Sequence, residues 1–469
     1  MKNTAFPEAG PVNMLKVSSN ITSAGLSFIV NGIEYPIDYP EGVWDKVPES
    51  LKPVLRDNLA LAVSMHLPLI LDVDGIEFES GRPFLEPYLF QNFIFDVPSC
   101  TEVDGLDTSE TMRKFMLKKY EYAKEDVAFP LIESRMTLNL PGRAIVAMSY
   151  GKDSLLTYGI ADEIGLDPEI VYIVEAALIY EQKHKIELGR KFEKEFGKKL
   201  HILTHQTGKL RDGERLGVGR TEFGWGLQNT EYAIELLPFA LALNGEYILF
   251  GNEQSTSESY LDTGGKWRVY PCYDQSHLWS VHVDQITQRL SGGIVRTASL
   301  IEPLLDMMIQ RILIRRYPQF AKYQMSCFTE TDAGKNYRWC QDCGVCGKMY
   351  LLTVAGGMDP RKIGFTRNML DKSHKHLFTI FGGKSKLTYA NSGLGREEQL
   401  LAFFLSAQRG FAGGLVEDFR TSPLFTEAQE RQEDLISKFT GIYEPISLPN
   451  ALKDSVISIY KEELALIDF

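Results

Sequence analysis

Ala144-Ile145-Val146-Ala147-Met148-Ser149-Tyr150-Gly151-Lys152-Asp153-Ser154 is the stretch on which the fold turns. Its first five residues are an unbroken apolar run, the pattern of a strand covered on both faces, as in a parallel sheet. A glycine-bearing turn follows, and 154–164 has the periodicity of a helix. The backbone N–H groups at the head of a helix lack partners within it and carry partial positive charge, so a loop in this position attracts phosphate. Gly151 lets the backbone approach an anion closely. Ser149 and Ser154 offer hydroxyls, Lys152 an ammonium, and Asp153 a carboxylate that can hold Mg²⁺ or cap the helix. A helix cap that only looks like a phosphate loop is the plainer alternative. The Walker A pattern is excluded, because that loop is longer and ends in Gly-Lys-Ser/Thr.

Downstream, strands are read at 170–174, 200–203 and 247–250, with helices at 180–196 and 230–242 between them. This alternation predicts an α/β fold, a doubly wound parallel sheet whose ligands sit at the carboxyl ends of strands. A second candidate site therefore lies at Gly251-Asn252-Glu253-Gln254-Ser255, after the fourth strand. Gly251 and Asn252 are candidate contacts to a nucleotide or substrate. Glu253 can ligate Mg²⁺ or act as a base, and a capped helix start explains it equally well. Glu175 ends the second strand and is the candidate for the adenosine ring or ribose. The segment 217–221 reads as a surface turn, with closure over phosphates as the alternative. Residues 270–276 are a candidate substrate wall, His277 and His282 read as structural, and Arg338 is expected to send a cation toward the site.

Working outward, the first 137 residues read as an α+β accessory domain. Its hairpin, 26–37, turns at Asn31-Gly32, a buried helix covers 58–65, a strand 67–78, and a polar helix 108–122. The α/β domain is placed at 138–295. A helical region, 296–469, carries helices at 300–317, 396–408, 427–439 and 451–467. Four of the six cysteines cluster there: Cys327, Cys340, Cys343 and Cys346. Four thiolates at this spacing read as a closed, structural Zn²⁺ site, with an Fe–S cluster or free buried thiols as alternatives. Across 469 residues the formal charge is −12, which argues against a general nucleic-acid or anionic-membrane binder. No apolar run is long enough to span a bilayer, and no signal peptide is read, so the cytoplasm is the expected location.

The loop Ser149-Tyr150-Gly151-Lys152-Asp153-Ser154 resembles the PP-loop, S-G-G-K-D-S, of the ATP pyrophosphatases, with Tyr150 in place of the first glycine. The resemblance implies a sheet of the adenine nucleotide alpha hydrolase type, the β,γ-pyrophosphate of ATP held in the loop, and AMP transfer to an acceptor. The order of further motifs narrows it. Gly251-Asn252-Glu253-x-Ser255, Ser326-Cys327, Arg338-Trp339-Cys340-x-x-Cys343-x-x-Cys346 and Phe365-x-Arg367-Asn368-x-Leu370-Asp371 are similar to the bacterial UDP-N-acetylmuramoyl-L-alanyl-L-glutamate epimerases, over about 140–410. That resemblance implies ATP cleaved to AMP and pyrophosphate, and adenylation of a small-molecule or peptide carboxylate. The acyl-adenylate removes the carboxylate's charge, acidifies the α-proton and lets the glutamate centre invert. Where that family has a Glu-Val-Asn-His-Gln-like stretch, this chain reads Arg268-Val269-Tyr270-Pro271-Cys272-Tyr273-Asp274-Gln275. The alternatives are a nucleoside-modifying enzyme, 7-cyano-7-deazaguanine synthase-like or tRNA thiolase-like, and a zinc scaffold without activity.

Overall fold

β3 (Ile33–Asp38) and β8 (Leu200–His205) lie side by side, and that contact joins the two ends of one sheet. The computed structural model describes residues 13–130, 142–383 and 388–467. Within them β1 (Met14–Ile21), β2 (Gly25–Val30), β3, β4 (Gly75–Arg82) and β5 (Lys119–Val127) precede β6 (Ala144–Ala147), β7 (Pro168–Glu175), β8 and β9 (Tyr247–Phe250). A two-stranded hairpin of β10 (Tyr260–Leu261) and β11 (Arg268–Val269) stands apart, and β12 (Arg296–Ser299) closes the series. The large sheet runs β12-β9-β6-β7-β8-β3-β2-β1-β4-β5 and is mostly parallel, with antiparallel pairing only at β8–β3, β3–β2 and β2–β1. The boundary expected at 137/138 lies outside the described residues, and the strands on either side of it share this sheet. Pairing β3 onto β8 leaves that edge of the parallel strands covered rather than open.

Side chains alternate across the sheet, as strand geometry requires. Ala144, Val146, Ile170, Tyr172, Val174 and Leu249 face one core with helices Lys152–Glu163, Ile179–Phe196 and Asp306–Arg316 and the C-terminal helices. Ile145, Val171, Ile173, Leu203 and Ile248 face the other, under helices Lys52–Ser64, Gln228–Leu243 and His277–Ser291. The α/β class and the central strands are as the apolar runs predict. The hairpin is too: Asn31 and Gly32 both have positive φ, 49° and 78°, as a type I′ turn requires.

Four readings need correction. The helix expected over 108–122 stops at Met116, because Tyr120 and Tyr122 alternate with a period of two and Tyr122 stacks on Phe78 of β4 at 5.1 Å. The strand expected over 67–78 begins only at Gly75; Leu67–Ile70 is a helical turn led by Pro68. The helix expected from 300 begins at Asp306, after Pro303. The helix expected over 427–439 breaks at Arg431 into Pro423–Glu430 and Gln432–Thr440. β12 went unread because Arg296-Thr297-Ala298-Ser299 has no apolar run. Its buried hydroxyls are bonded instead, Thr297 to Thr287 at 3.0 Å and Ser299 to the Asn252 carbonyl at 2.6 Å.

Candidate functional site

The parallel strands stand in the order β12-β9-β6-β7-β8, so the chain leaves β6 in opposite directions on its two sides. The crevice beyond the carboxyl ends of β6 and β9 is the switch point, where open α/β sheets bind ligands. The loop 149–154 follows β6 and the loop 251–255 follows β9, so the structure brings both candidate segments to this crevice. They touch: a Cβ on Gly251 would lie 2.6 Å from Cβ of Asp153, closer than real side chains come. Only glycine permits this approach.

The loop 149–154 has a strained residue at its centre. Tyr150 holds φ at 57°, in the left-handed region that glycine favours, and its side chain is fully buried against Phe192. Its carbonyl accepts the Met325 N–H at 2.7 Å. Gly151 is the N-cap of helix Lys152–Glu163, and no side chain caps that helix. Ser149 is exposed at the mouth, and its hydroxyl lies 3.3 Å from that of the buried Ser154.

Beneath the loop lies a buried charge cluster that sequence reading had only in part. The Lys152 ammonium pairs with both Asp153 and Asp306. Asp306, the first residue of helix Asp306–Arg316, also takes Lys348, which sits 3.5 Å from Glu398 and 4.0 Å over the Tyr389 ring. Glu253 accepts the Ser255 N–H at 2.8 Å and the Ser255 hydroxyl. Burial would lower the Lys152 pKa, but Asp153, Asp306 and Glu253 outweigh it and hold the ammonium firmly charged. Burial raises Asp306, and its two lysines then pull it well below the usual range. Burial together with Asp306 pushes Glu253 up to about 8, and burial pushes Glu398 up to about 7. Two ammonium groups thus face four carboxyl groups, and an incoming divalent cation would offset the excess of acidic groups.

Asn252 is placed at the crevice but is occupied: its amide donates to Ser280 at 3.0 Å and accepts from Asn229 at 3.3 Å. Glu175 is also engaged, accepting from Arg211 at 2.5 Å, Tyr232 at 3.0 Å and Gln228 at 3.1 Å. Arg338 does not point toward the site; its guanidinium donates to the Lys322 carbonyl at 2.8 Å and packs on Gly364. Residues 214–220 are mostly exposed, as a surface turn requires. Tyr270 and Tyr273 are buried with Trp279 and serve as core. Burial and the neighbouring Asp274 raise the Cys272 thiol well above its ordinary range. Asp306, Lys348 and Glu398 carried no sequence signal, since each reads as an ordinary helix residue.

The four cysteines converge. All four sulfurs lie within 4.8 Å of one another, and Cys340 and Cys346 are 3.7 Å apart. Tetrahedral zinc with bonds of about 2.3 Å separates its sulfurs by about 3.8 Å, so the cluster could hold a metal ion such as zinc. Cys343 caps helix Gly344–Ala355 by accepting the Cys346 N–H. That helix carries Lys348, and Cys327 follows Met325, which is bonded to Tyr150. The cysteine cluster is therefore tied to the loop 149–154 through Met325 and Tyr150.

No protein-family model matches the chain, and neither a curated protein nor a solved structure does. Among the described residues no helix is long and apolar enough to cross a membrane.

Proposed function

We propose that this chain is an adenylating enzyme that cleaves ATP to AMP and pyrophosphate to activate a substrate carboxylate. The preferred substrate is the terminal L-glutamate of a UDP-N-acetylmuramoyl dipeptide or a related peptide precursor, which the enzyme epimerises. One observation carries the reading: an uncapped helix head with a charged lysine, at the switch point of a parallel sheet, pressed against a second loop bearing Glu253.

In this account the amides at the helix head, 152–154, and the Lys152 ammonium bind the leaving diphosphate, while the Ser149 and Gly151 amides are held by the hydroxyls of Ser154 and Ser149. Asp153 and Glu253 would hold Mg²⁺, which neutralises the triphosphate and polarises the phosphorus under attack. Lys348, paired through Asp306, supplies a second buried cation for charge that develops near the acceptor. The four cysteines would hold zinc as a structural brace, with no part in the reaction. A second reading, a nucleoside-modifying enzyme of the 7-cyano-7-deazaguanine synthase kind, draws on the same loop and on its tie to the cysteines through Met325.

The test is incubation with ATP, Mg²⁺ and the UDP-muramoyl dipeptide in D₂O. Deuterium at the glutamate α-carbon together with D-glutamate in the product is the expected result. Unexchanged L-glutamate removes the epimerase assignment, and AMP release on adding a deazapurine carboxylate instead favours the second reading.

A further inference from the structure

A second polar cluster lies on the other side of the parallel strands, away from the phosphate loop. His205 is the last residue of β8, and Glu231 and Glu235 stand one turn apart on helix Gln228–Leu243. All three are at most 1 % exposed. The His205 Nε2 lies 2.8 Å from Glu231 Oε1 and 3.3 Å from Glu235 Oε1, and the three ligand atoms lie within 4.8 Å of one another. Arg211 holds the other Glu231 oxygen and bridges to Glu175 at the end of β7.

A hydrogen-bonded histidine explains the Glu231 contact alone. The 3.3 Å approach to Glu235 is not aligned as a hydrogen bond, and both Glu235 carboxylate oxygens are buried without a hydrogen-bonding partner, as is His205 Nδ1. A buried carboxylate with no aligned hydrogen bond is expensive, even with an imidazole 3.3 Å away.

We propose that His205, Glu231 and Glu235 bind a first-row divalent transition-metal ion, zinc or manganese, at a buried three-residue site. Bonds of about 2.1 Å separate neighbouring ligand atoms by about 3.0 Å in octahedral and about 3.4 Å in tetrahedral geometry, and the two observed separations fall close to that range. One imidazole with two carboxylates suits zinc or manganese; calcium and magnesium take oxygen ligands, and soft ions take thiolates. The ion would pin the end of β8 to helix Gln228–Leu243 and, through Arg211, to the end of β7. It is independent of the ATP reading, because none of its ligands reaches the phosphate loop.

The test is the total first-row metal content of the purified full chain, beside Glu235→Gln, His205→Gln and Cys343→Ser. The wild type should hold about one equivalent more than Glu235→Gln, and Cys343→Ser should lose a different equivalent. X-ray absorption at the edge of the metal found should show imidazole scattering, which four thiolates cannot give; this readout uses wild type alone and stands if the variants fail to fold. Equal metal in wild type and a folded Glu235→Gln overturns the proposal, as does wild-type metal with a sulfur shell only.

Discussion

At Lys152, burial and charge pull in opposite directions, and charge wins: three carboxylates around a buried ammonium keep it protonated. Under the proposed function such a lysine is preorganised to meet phosphate. Lys152→Ala should lower ATP turnover by roughly 10²–10³-fold and remove the calorimetric signal of ATP binding, with the fold retained by circular dichroism. Away from the site, Asp96 carries a different burden. Burial, with Asp274 and Glu222 adding to it, pushes its carboxyl up to about 7 against the lowering effect of the Cys100 thiol. The folded state therefore keeps a proton that the unfolded chain sheds near pH 4, so this group's contribution to stability is full at low pH and is lost as pH rises through 7. Asp96→Asn should flatten that decline, read as the melting temperature between pH 5.5 and 8.5; an unchanged slope would assign the loss elsewhere. Ser149, Lys152, Asp153 and Glu253 were legible in the sequence because each directly follows an apolar strand. Asp306, Lys348 and Glu398 were not, since the chain brings them in from distant helices where their neighbours carry no phosphate or strand signal.

At the scale of elements, the site depends on two loops approaching to contact at Gly251 and Asp153. Gly251→Ala forces its methyl into Asp153 backbone and Cβ, and overpacking of this kind costs about 1–3 kcal/mol. Because the strain falls on the loop, ATP turnover should drop at least tenfold while the melting temperature falls only a few degrees. A variant with wild-type turnover would mean the loops are not the binding site. The strands β6 to β9 could be read from their apolar runs, which a sheet covered on both faces demands. β12 could not, because hydroxyl pairs to Thr287 and Asn252 replace the apolar signal. β5 was hidden for a similar reason: its alternation is carried by tyrosines among charged residues, which also suits a helix surface.

For the whole molecule, the sheet is the unit of stability. β3 covers the edge of β8, and the N-terminal helix Lys52–Ser64 shares a core with Val171, Ile173 and Leu203. A chain starting at 142 would leave that edge and that apolar face uncovered. It should be insoluble or bind a hydrophobic dye strongly, whereas the full chain should unfold in a transition that includes the N-terminal strands. A soluble fragment with native circular dichroism would separate the two halves. The pattern-based reading of an N-terminal accessory region was silent about this pairing, because strand partners so far apart in sequence leave no local mark.

The most direct test of the central claim is the identity of the phosphorus products when wild-type protein, ATP and Mg²⁺ meet the UDP-muramoyl dipeptide, followed by ³¹P NMR. AMP and pyrophosphate, absent with Lys152→Ala, are the products this account requires. ADP and phosphate, or ATP left intact across a panel of carboxylates, would contradict it.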